Sequence, residues 1–320
     1  MGKLHARVYS QMPGVKLMGV YDANHEAAKD VADEYHCEAY GNLKDLLPRV
    51  AACTIAVPTK YHAELAEPFL SRGIACLIEK PLAKDIFDAR RIVEASNKFN
   101  AMVQVGHIER FNPAIVAMRR LNIQPKFMEV TRISPLTFRS IDVGVVLDMM
   151  IHDIDIVLNL ANSPVSSIEA TGVSVIGDVE DIASARIKFE NGCVANLTAS
   201  RLALKTERKL RVFSPDAYVS VDYQRKVGMV ARKSENVQNI RDAVSKIRSG
   251  EINDISQLKF DELVHIEELS IDDVEPIRAE LECFVDAIIN HKPSPIPAED
   301  GYSAVEVATR IVEKIGGQTV

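Results

Sequence analysis

Short apolar runs alternate with amphipathic stretches over the first third of the chain. Val15–Tyr21 (VKLMGVY), Ala52–Val57 (ACTIAV), Ala75–Ile78 (ACLI) and Ala101–Val105 (AMVQV) read as strands. Between them Asn24–Tyr35, Tyr61–Ser71 and Asp85–Asn97 carry the helical period. Asn24 is placed to cap the first, Gly73 to stop the second and Asp85 to start the third. The opening residues, Met1-Gly2-Lys3-Leu4-His5, read as the inside of a further helix. Strands that are apolar on both faces and alternate with helices belong in a parallel sheet covered on both sides.

The pattern changes after Gly106. Pro113–Leu121 reads as a helix with proline in its first turn, Phe127–Ile133 as a strand, and Leu147–Leu160 as a long apolar helix. Strand-like runs then follow closely at 168–175, 183–189, 194–200, 209–213 and 217–221. Asn191-Gly192 stands between two of them, a hairpin signal. Lys233–Leu258 is polar and weakly periodic and reads as a surface insertion with a short helix. Two helices, Pro276–Asn290 and Ala304–Lys314, close the chain. The expected fold is α/β over residues 1–107, a doubly wound parallel sheet of Rossmann type lacking its first strand. An α+β domain with an open, mainly antiparallel sheet is expected over 108–320.

The chain has 320 residues, 47% of them hydrophobic, and a formal net charge of −7. At about 150 residues per domain this suits two domains. The acidic balance argues against a nucleic-acid partner, which needs a basic surface. No apolar run reaches the roughly 18 residues of a membrane span, and the start shows no secretory signal. Five widely spaced cysteines with no C-x-x-C pair suggest neither a disulfide framework nor structural zinc. A cytoplasmic enzyme is the expectation.

A dinucleotide fold opens with a strand and G-x-G-x-x-G. This sequence has neither. Gly2 reads as the last glycine of a fingerprint whose strand lies upstream; otherwise the cofactor site is degenerate. Asp22 follows the Val15–Tyr21 run, where an acidic residue binds ribose hydroxyls, and its carboxylate favours NAD over NADP. Lys80, within Glu79-Lys80-Pro81, falls at the carboxyl edge of the parallel sheet, and Pro81 is placed for a cis bond. Asp148 and His152 lie four apart on one helix, where a carboxylate can orient and tune an imidazole. Asp153 and Asp155 add carboxylates nearby. No third His or Cys follows at helical spacing, so no metal site is expected. His107, Arg110 and Asn112 lie in the segment Gly106–Pro113 that crosses between the domains and faces the cleft. His5, His25, His36, His265 and His291 show no partners and read as surface residues.

Together Glu79-Lys80-Pro81, AVPTKYH (56–62) and GVVLDMMIHDIDIVL, with its Asp148-x-x-x-His152, resemble the Gfo/Idh/MocA oxidoreductases. GHIERFNPA (106–114) with DVGVVLDMMIHDID (142–155) is most similar to the branch that oxidises UDP-N-acetylglucosamine at C3. The resemblance implies oxidation of a secondary sugar hydroxyl with hydride transfer to NAD. Lys80, Asp148 and His152 would be catalytic, either Lys80 or His152 being the formal base. Pro58, Thr59, His62, Glu79 and Lys80 would line the cofactor groove. Arg110 and Arg139 would meet a substrate diphosphate, beside His107 and Asn112. A free-sugar or inositol dehydrogenase and a catalytically silent sugar sensor or scaffold remain as alternatives. An open sheet in the second domain implies a homodimer or homotetramer.

Overall fold

The computed structural model describes residues 1–137, 143–233, 237–251 and 264–316. Its parallel strands form two pieces. β1 (Gly19–Tyr21) pairs with β2 (Glu38–Tyr40), and β3 (Ala52–Ile55), β4 (Ala75–Glu79) and β5 (Val103–Gly106) pair in that order. The break between β1 and β3 falls where the sequence reading leaves out a strand.

β4 shows why the run ACLI carries no polar alternation: every residue from Ala75 to Glu79 is buried. Ala75 and Leu77 face one cluster, with Val8 and Met12 of α1 (Gly2–Gln11) and Leu281 and Phe284 near the C-terminus. Cys76 and Ile78 face the other, with Ala66 and Leu70 of α4 (His62–Leu70) and Ala89 and Ile92 of α5 (Ile86–Phe99). Full burial of each large apolar side chain is worth about 1.5–3 kcal/mol. The strand is thus held from both faces. The remaining helices of this half are α2 (His25–Tyr35), capped by the Asn24 side chain, and the short α3 (Leu43–Leu46).

The second half is an eight-stranded sheet. Its strands are β6 (Phe127–Ile133), β7 (Val165–Val173), β8 (Ile182–Phe189), β9 (Val194–Ser200), β10 (Glu207–Phe213), β11 (Ala217–Asp222), β12 (Val227–Lys233) and β13 (Val264–Glu268). The spatial order is β13-β12-β11-β10-β6-β9-β8-β7, antiparallel except for β6 beside β9. One face of β6 puts Met128, Val130 and Arg132 inside. α6 (Pro113–Arg119) and α7 (Ile151–Ala161) cover that face. α8 (Val237–Ser249) falls within the polar insertion, whose residues 234–236 and 252–258 lie outside the described ones. Gly192, at φ 82°, turns the β8–β9 hairpin as its Asn-Gly signal predicts.

The last two helices, α9 (Pro276–Ile289) and α10 (Ala298–Gly316), return to the first sheet. α9 supplies Leu281 and Phe284 to the β4 face. α10 puts Val305 into the first core and Ala304, Val307, Ala308 and Ile311 into the second. A Cβ at Gly301 would lie 2.8 Å from Val105 and 3.0 Å from Leu82, so glycine lets this helix approach β5. Packing therefore ties the end of the chain to both halves.

Three strands, β2, β12 and β13, were not legible in the apolar pattern. β1 is shorter than Val15–Tyr21 because a turn at Met12–Val15, with Gly14 at φ 76°, occupies its start. The helix read over Leu147–Leu160 begins instead with a π-turn, Val146–Met150. No helix among the described residues is long and apolar enough to cross a membrane.

Candidate active site

Lys80 leaves the carboxyl end of β4 through a cis Lys80–Pro81 bond. Its Nζ donates to the Asp148 carbonyl at 2.8 Å and stands 3.7 Å from Asp148 Oδ1. A cavity of about 220 Å³ opens at this point, lined by Lys80, Asp148, His152, Arg132, Arg201 and Arg208 among others. The first sheet supplies Lys80. The π-turn and α7 supply Asp148 and His152, so the cavity lies where the two halves meet.

The turn is built from behind. Glu180 accepts from Val146 N at 3.1 Å, and its backbone carbonyl accepts from Val145 N. A Cβ at Gly144 would come within 2.0 Å of Glu180 Oε1, so any larger residue must displace the Glu180 carboxylate from the turn. Asp181 beside it accepts from Val175 N and Ile176 N and pairs with Arg201.

His152 is half-buried, and its Nδ1 is buried without a hydrogen-bond partner. Burial, and then the positive charges of Lys80 and Arg132, hold its pKa well below the ordinary imidazole value. It is therefore a neutral imidazole able to take up a proton. Burial also lowers the pKa of Lys80, against the opposing pull of Asp148. No hydrogen bond joins Asp148 to His152 among the described residues; Asp148 turns to Lys80 instead. In a π-turn the period is stretched, so residues four apart no longer stand over one another.

Under the cavity lies a layer of buried ion pairs. Arg132 grips Asp153 at 2.8 and 3.0 Å and Glu109 at 3.1 Å, and the Tyr223 hydroxyl donates to Asp153 at 2.5 Å. Arg110 grips Asp155 at 2.7 and 2.6 Å and reaches Asp300 at 2.8 Å. This corrects two expectations. Arg110 is consumed by carboxylates and is not free for a substrate. Asn112 caps α6 and donates to Glu109 and the Tyr223 carbonyl. His107 is buried, and both its ring nitrogens lack hydrogen-bond partners, Nε2 standing 3.8 Å from Asp155. Burial lowers its pKa, with Asp155 pulling the other way. Arg139 lies outside the described residues.

On the first sheet, Asp22 follows β1 with an exposed carboxylate that accepts from Asn24 N at 2.8 Å. Gly2 begins α1 with open space around it; a Cβ there would meet only Ala56, at 3.9 Å. Pro58 and Thr59 follow the carboxyl end of β3. The open carboxylate suits ribose hydroxyls, and the uncapped start of α1 suits a phosphate. His62 does something else: its ring bonds the Val57 and Pro81 carbonyls, both at 3.0 Å, and ties the end of β3 to the Lys80–Pro81 turn. The Glu79 side chain is turned to His5 Nε2 at 2.9 Å. His5 is thus buried and paired, not a surface residue; its partner lies 74 residues away, where no local spacing reveals it. The other four, His25, His36, His265 and His291, are exposed.

Sequence reasoning missed Arg132, Arg201 and Arg208. One signal was present: Arg132 shares the inward register of Met128 and Val130, and an arginine on a core face must be paired.

Residues 1–107 match the family described as "Oxidoreductase family, NAD-binding Rossmann fold", and residues 129–219 match its "GFO/IDH/MocA C-terminal domain". The chain is 37% identical over 224 residues to UDP-N-acetylglucosamine 3-dehydrogenase of Acidithiobacillus ferrooxidans, covering 70% of this chain and 71% of that one. It is 28% identical to inositol 2-dehydrogenase of Rhizobium meliloti over 72% of this chain and 74% of the relative. A crystal structure of the Acidithiobacillus enzyme superposes with a TM-score of 0.87 at 30% identity, covering 99% and 94% of the two chains. Levoglucosan dehydrogenase in complex with NADH shares the fold, with a TM-score of 0.82 at 20% identity over 100% and 95%. This chain, with its lysine, aspartate and histidine gathered at the junction of the two sheets, belongs to the Gfo/Idh/MocA family of NAD-binding oxidoreductases.

Proposed function

We propose that this protein oxidises a secondary hydroxyl of a sugar, C3 of UDP-N-acetylglucosamine, to a ketone. The observation that carries the reading is the convergence of Lys80, Asp148 and neutral His152 on one cavity at the sheet's carboxyl edge. When bound, NAD supplies the hydride acceptor. Asp22, Gly2, Pro58 and Thr59 would hold it, and the carboxylate of Asp22 would repel a 2′-phosphate.

The chain's own residues do the rest. His152 accepts the hydroxyl proton as the carbon–hydrogen bond breaks. Lys80, fixed through the Asp148 carbonyl, donates a hydrogen bond to the same oxygen and stabilises its developing charge. Asp148 positions Lys80. Arg208 lines the cavity with a half-exposed guanidinium whose only described partner is Glu109 at 3.2 Å. It is the cation best placed for a diphosphate. The similarity to the Acidithiobacillus enzyme supports the nucleotide sugar over a free one.

The test is NADH formation with UDP-N-acetylglucosamine, N-acetylglucosamine and myo-inositol, alongside fluorescence titration with NADH and NADPH. Turnover that needs the UDP group supports the proposal. Turnover with inositol alone favours the free-polyol reading. NADH binding without turnover on any sugar favours a silent binder.

A further inference from the structure

One buried polar cluster takes no part in the cavity. His5 of α1, Glu79 of β4 and Glu280 of α9 come from the beginning, the middle and the end of the chain. One ligand atom from each lies within 4.8 Å of the other two. His5 and Glu79 are in contact through Nε2 and Oε1 at 2.9 Å. Glu280 is completely buried, yet neither of its carboxylate oxygens has a hydrogen-bond partner.

That arrangement is not satisfied by the protein alone. An ionised Glu280 would be a buried, unpaired charge beside a second carboxylate. Protonation removes the charge but leaves a hydroxyl donor and a carbonyl acceptor with nothing to bond. Gln104 adds to the deficit: its Nε2 holds the Glu280 backbone carbonyl at 3.1 Å, while its Oε1 is buried and unpartnered. A positive ion between the three side chains would satisfy the Glu280 carboxylate and offset the charge of Glu79 beside it.

We propose that His5, Glu79 and Glu280 bind one divalent transition-metal cation. An imidazole with two carboxylates is a donor set for Zn²⁺ or Mn²⁺; Mg²⁺ and Ca²⁺ prefer oxygen throughout. Bond lengths of about 2.0–2.2 Å set tetrahedral ligand atoms roughly 3.4 Å apart, so Glu280 must draw in and the His5–Glu79 contact must open slightly, which side-chain torsions can supply. The ion ties α1 and α9 to β4 one residue before Lys80, and so fixes the strand end from which the reactive lysine departs. It takes no part in hydride transfer. Residues 5, 79 and 280 carry no spacing signature, so the sequence gives no hint of a metal.

The test uses the full chain. Protein stripped with a chelator is dialysed against Zn²⁺, Mn²⁺ or Co²⁺, and bound metal is measured by elemental analysis. About one equivalent per chain is expected, with a thermal midpoint that falls on stripping and returns on reloading. Co²⁺ should show a visible spectrum characteristic of nitrogen and oxygen ligation. Glu280→Gln preserves shape but removes the charge, and uptake should fall at least tenfold. Stripped wild-type protein that takes up none of the three ions overturns the proposal, and that result needs no variant. Undiminished uptake by folded Glu280→Gln also overturns it, because the ion then sits elsewhere.

Discussion

Replacing Arg110 separates two roles that its sequence position leaves open. As a substrate cation it would be partly free, and Arg110→Met would raise KM and leave stability alone. The structure gives it another task. Its guanidinium makes two short bonds to Asp155, a residue 1% exposed, and a third bond to Asp300 at the rim. Methionine fills much of the volume but leaves Asp155 buried without its cation. The nearest remaining partner is His107 Nε2 at 3.8 Å, and that imidazole is itself disfavoured as a cation by burial. Breaking a buried pair from one side costs about 3–5 kcal/mol, because an uncompensated charge remains. At about 2.1 cal/mol/K of unfolding entropy per residue, 320 residues unfolding as one unit have about 0.67 kcal/mol/K. The midpoint should therefore fall by about 4–7 °C in a thermal melt. Lys188→Met, which breaks an exposed pair with Glu169, is the control and should leave the midpoint unchanged. An unchanged midpoint in Arg110→Met, with KM raised severalfold, would refute the structural assignment.

The remaining predictions concern the cavity itself. Lys80→Met and His152→Ala should each lower kcat by about 10²–10⁴ while NADH binding, read by fluorescence titration, stays near wild type. Near-normal turnover in either would remove it from the mechanism. His152 must be neutral to act as a base, so activity is lost as pH falls through its pKa. Since burial and Lys80 depress that pKa, the acid limb of kcat/KM should lie below the ordinary imidazole value of about 6.5. A limb above that value would contradict the electrostatic account. Gly144→Ala should cost about 1–3 kcal/mol and depress activity together with stability. Its Cβ would collide with Glu180 behind the turn that carries Asp148. A stable, fully active alanine variant would show that the turn relaxes freely.

The parallel half was legible because burial on both faces leaves a plain mark in sequence. Ala75–Ile78 has no polar position, and Ala52–Ile55 and Val103–Gly106 nearly follow it. β2 escaped because three residues, Glu38-Ala39-Tyr40, are too few to show a period. β13, Val264–Glu268, escaped because an edge strand keeps polar side chains on solvent. Among site residues, Lys80, Asp148 and His152 meet because two strong patterns end there. The roles of Arg110, Asn112, His62 and His5 were not legible. Each depends on a partner 19 to 111 residues away, such as Pro81 for His62, Glu79 for His5 or Tyr223 for Asn112. No local spacing records such a partner.

The change of helical period at Met150 explains how one short segment serves two environments. Asp148 lies in the π-turn and His152 follows in the first turn of α7, and both line the cavity. Asp153 and Asp155 lie on the following α-helical turn and point inward, each to a buried arginine. In a continuous α-helix, Asp148, His152 and Asp155 would share one stripe, because they are spaced four and three apart. The stretched turn moves Asp148 off that stripe and hands it to Lys80. It is held in that form by Glu180 from outside and by the absence of a side chain at Gly144. The geometry of the cavity thus rests on a glycine and a glutamate that do not line it.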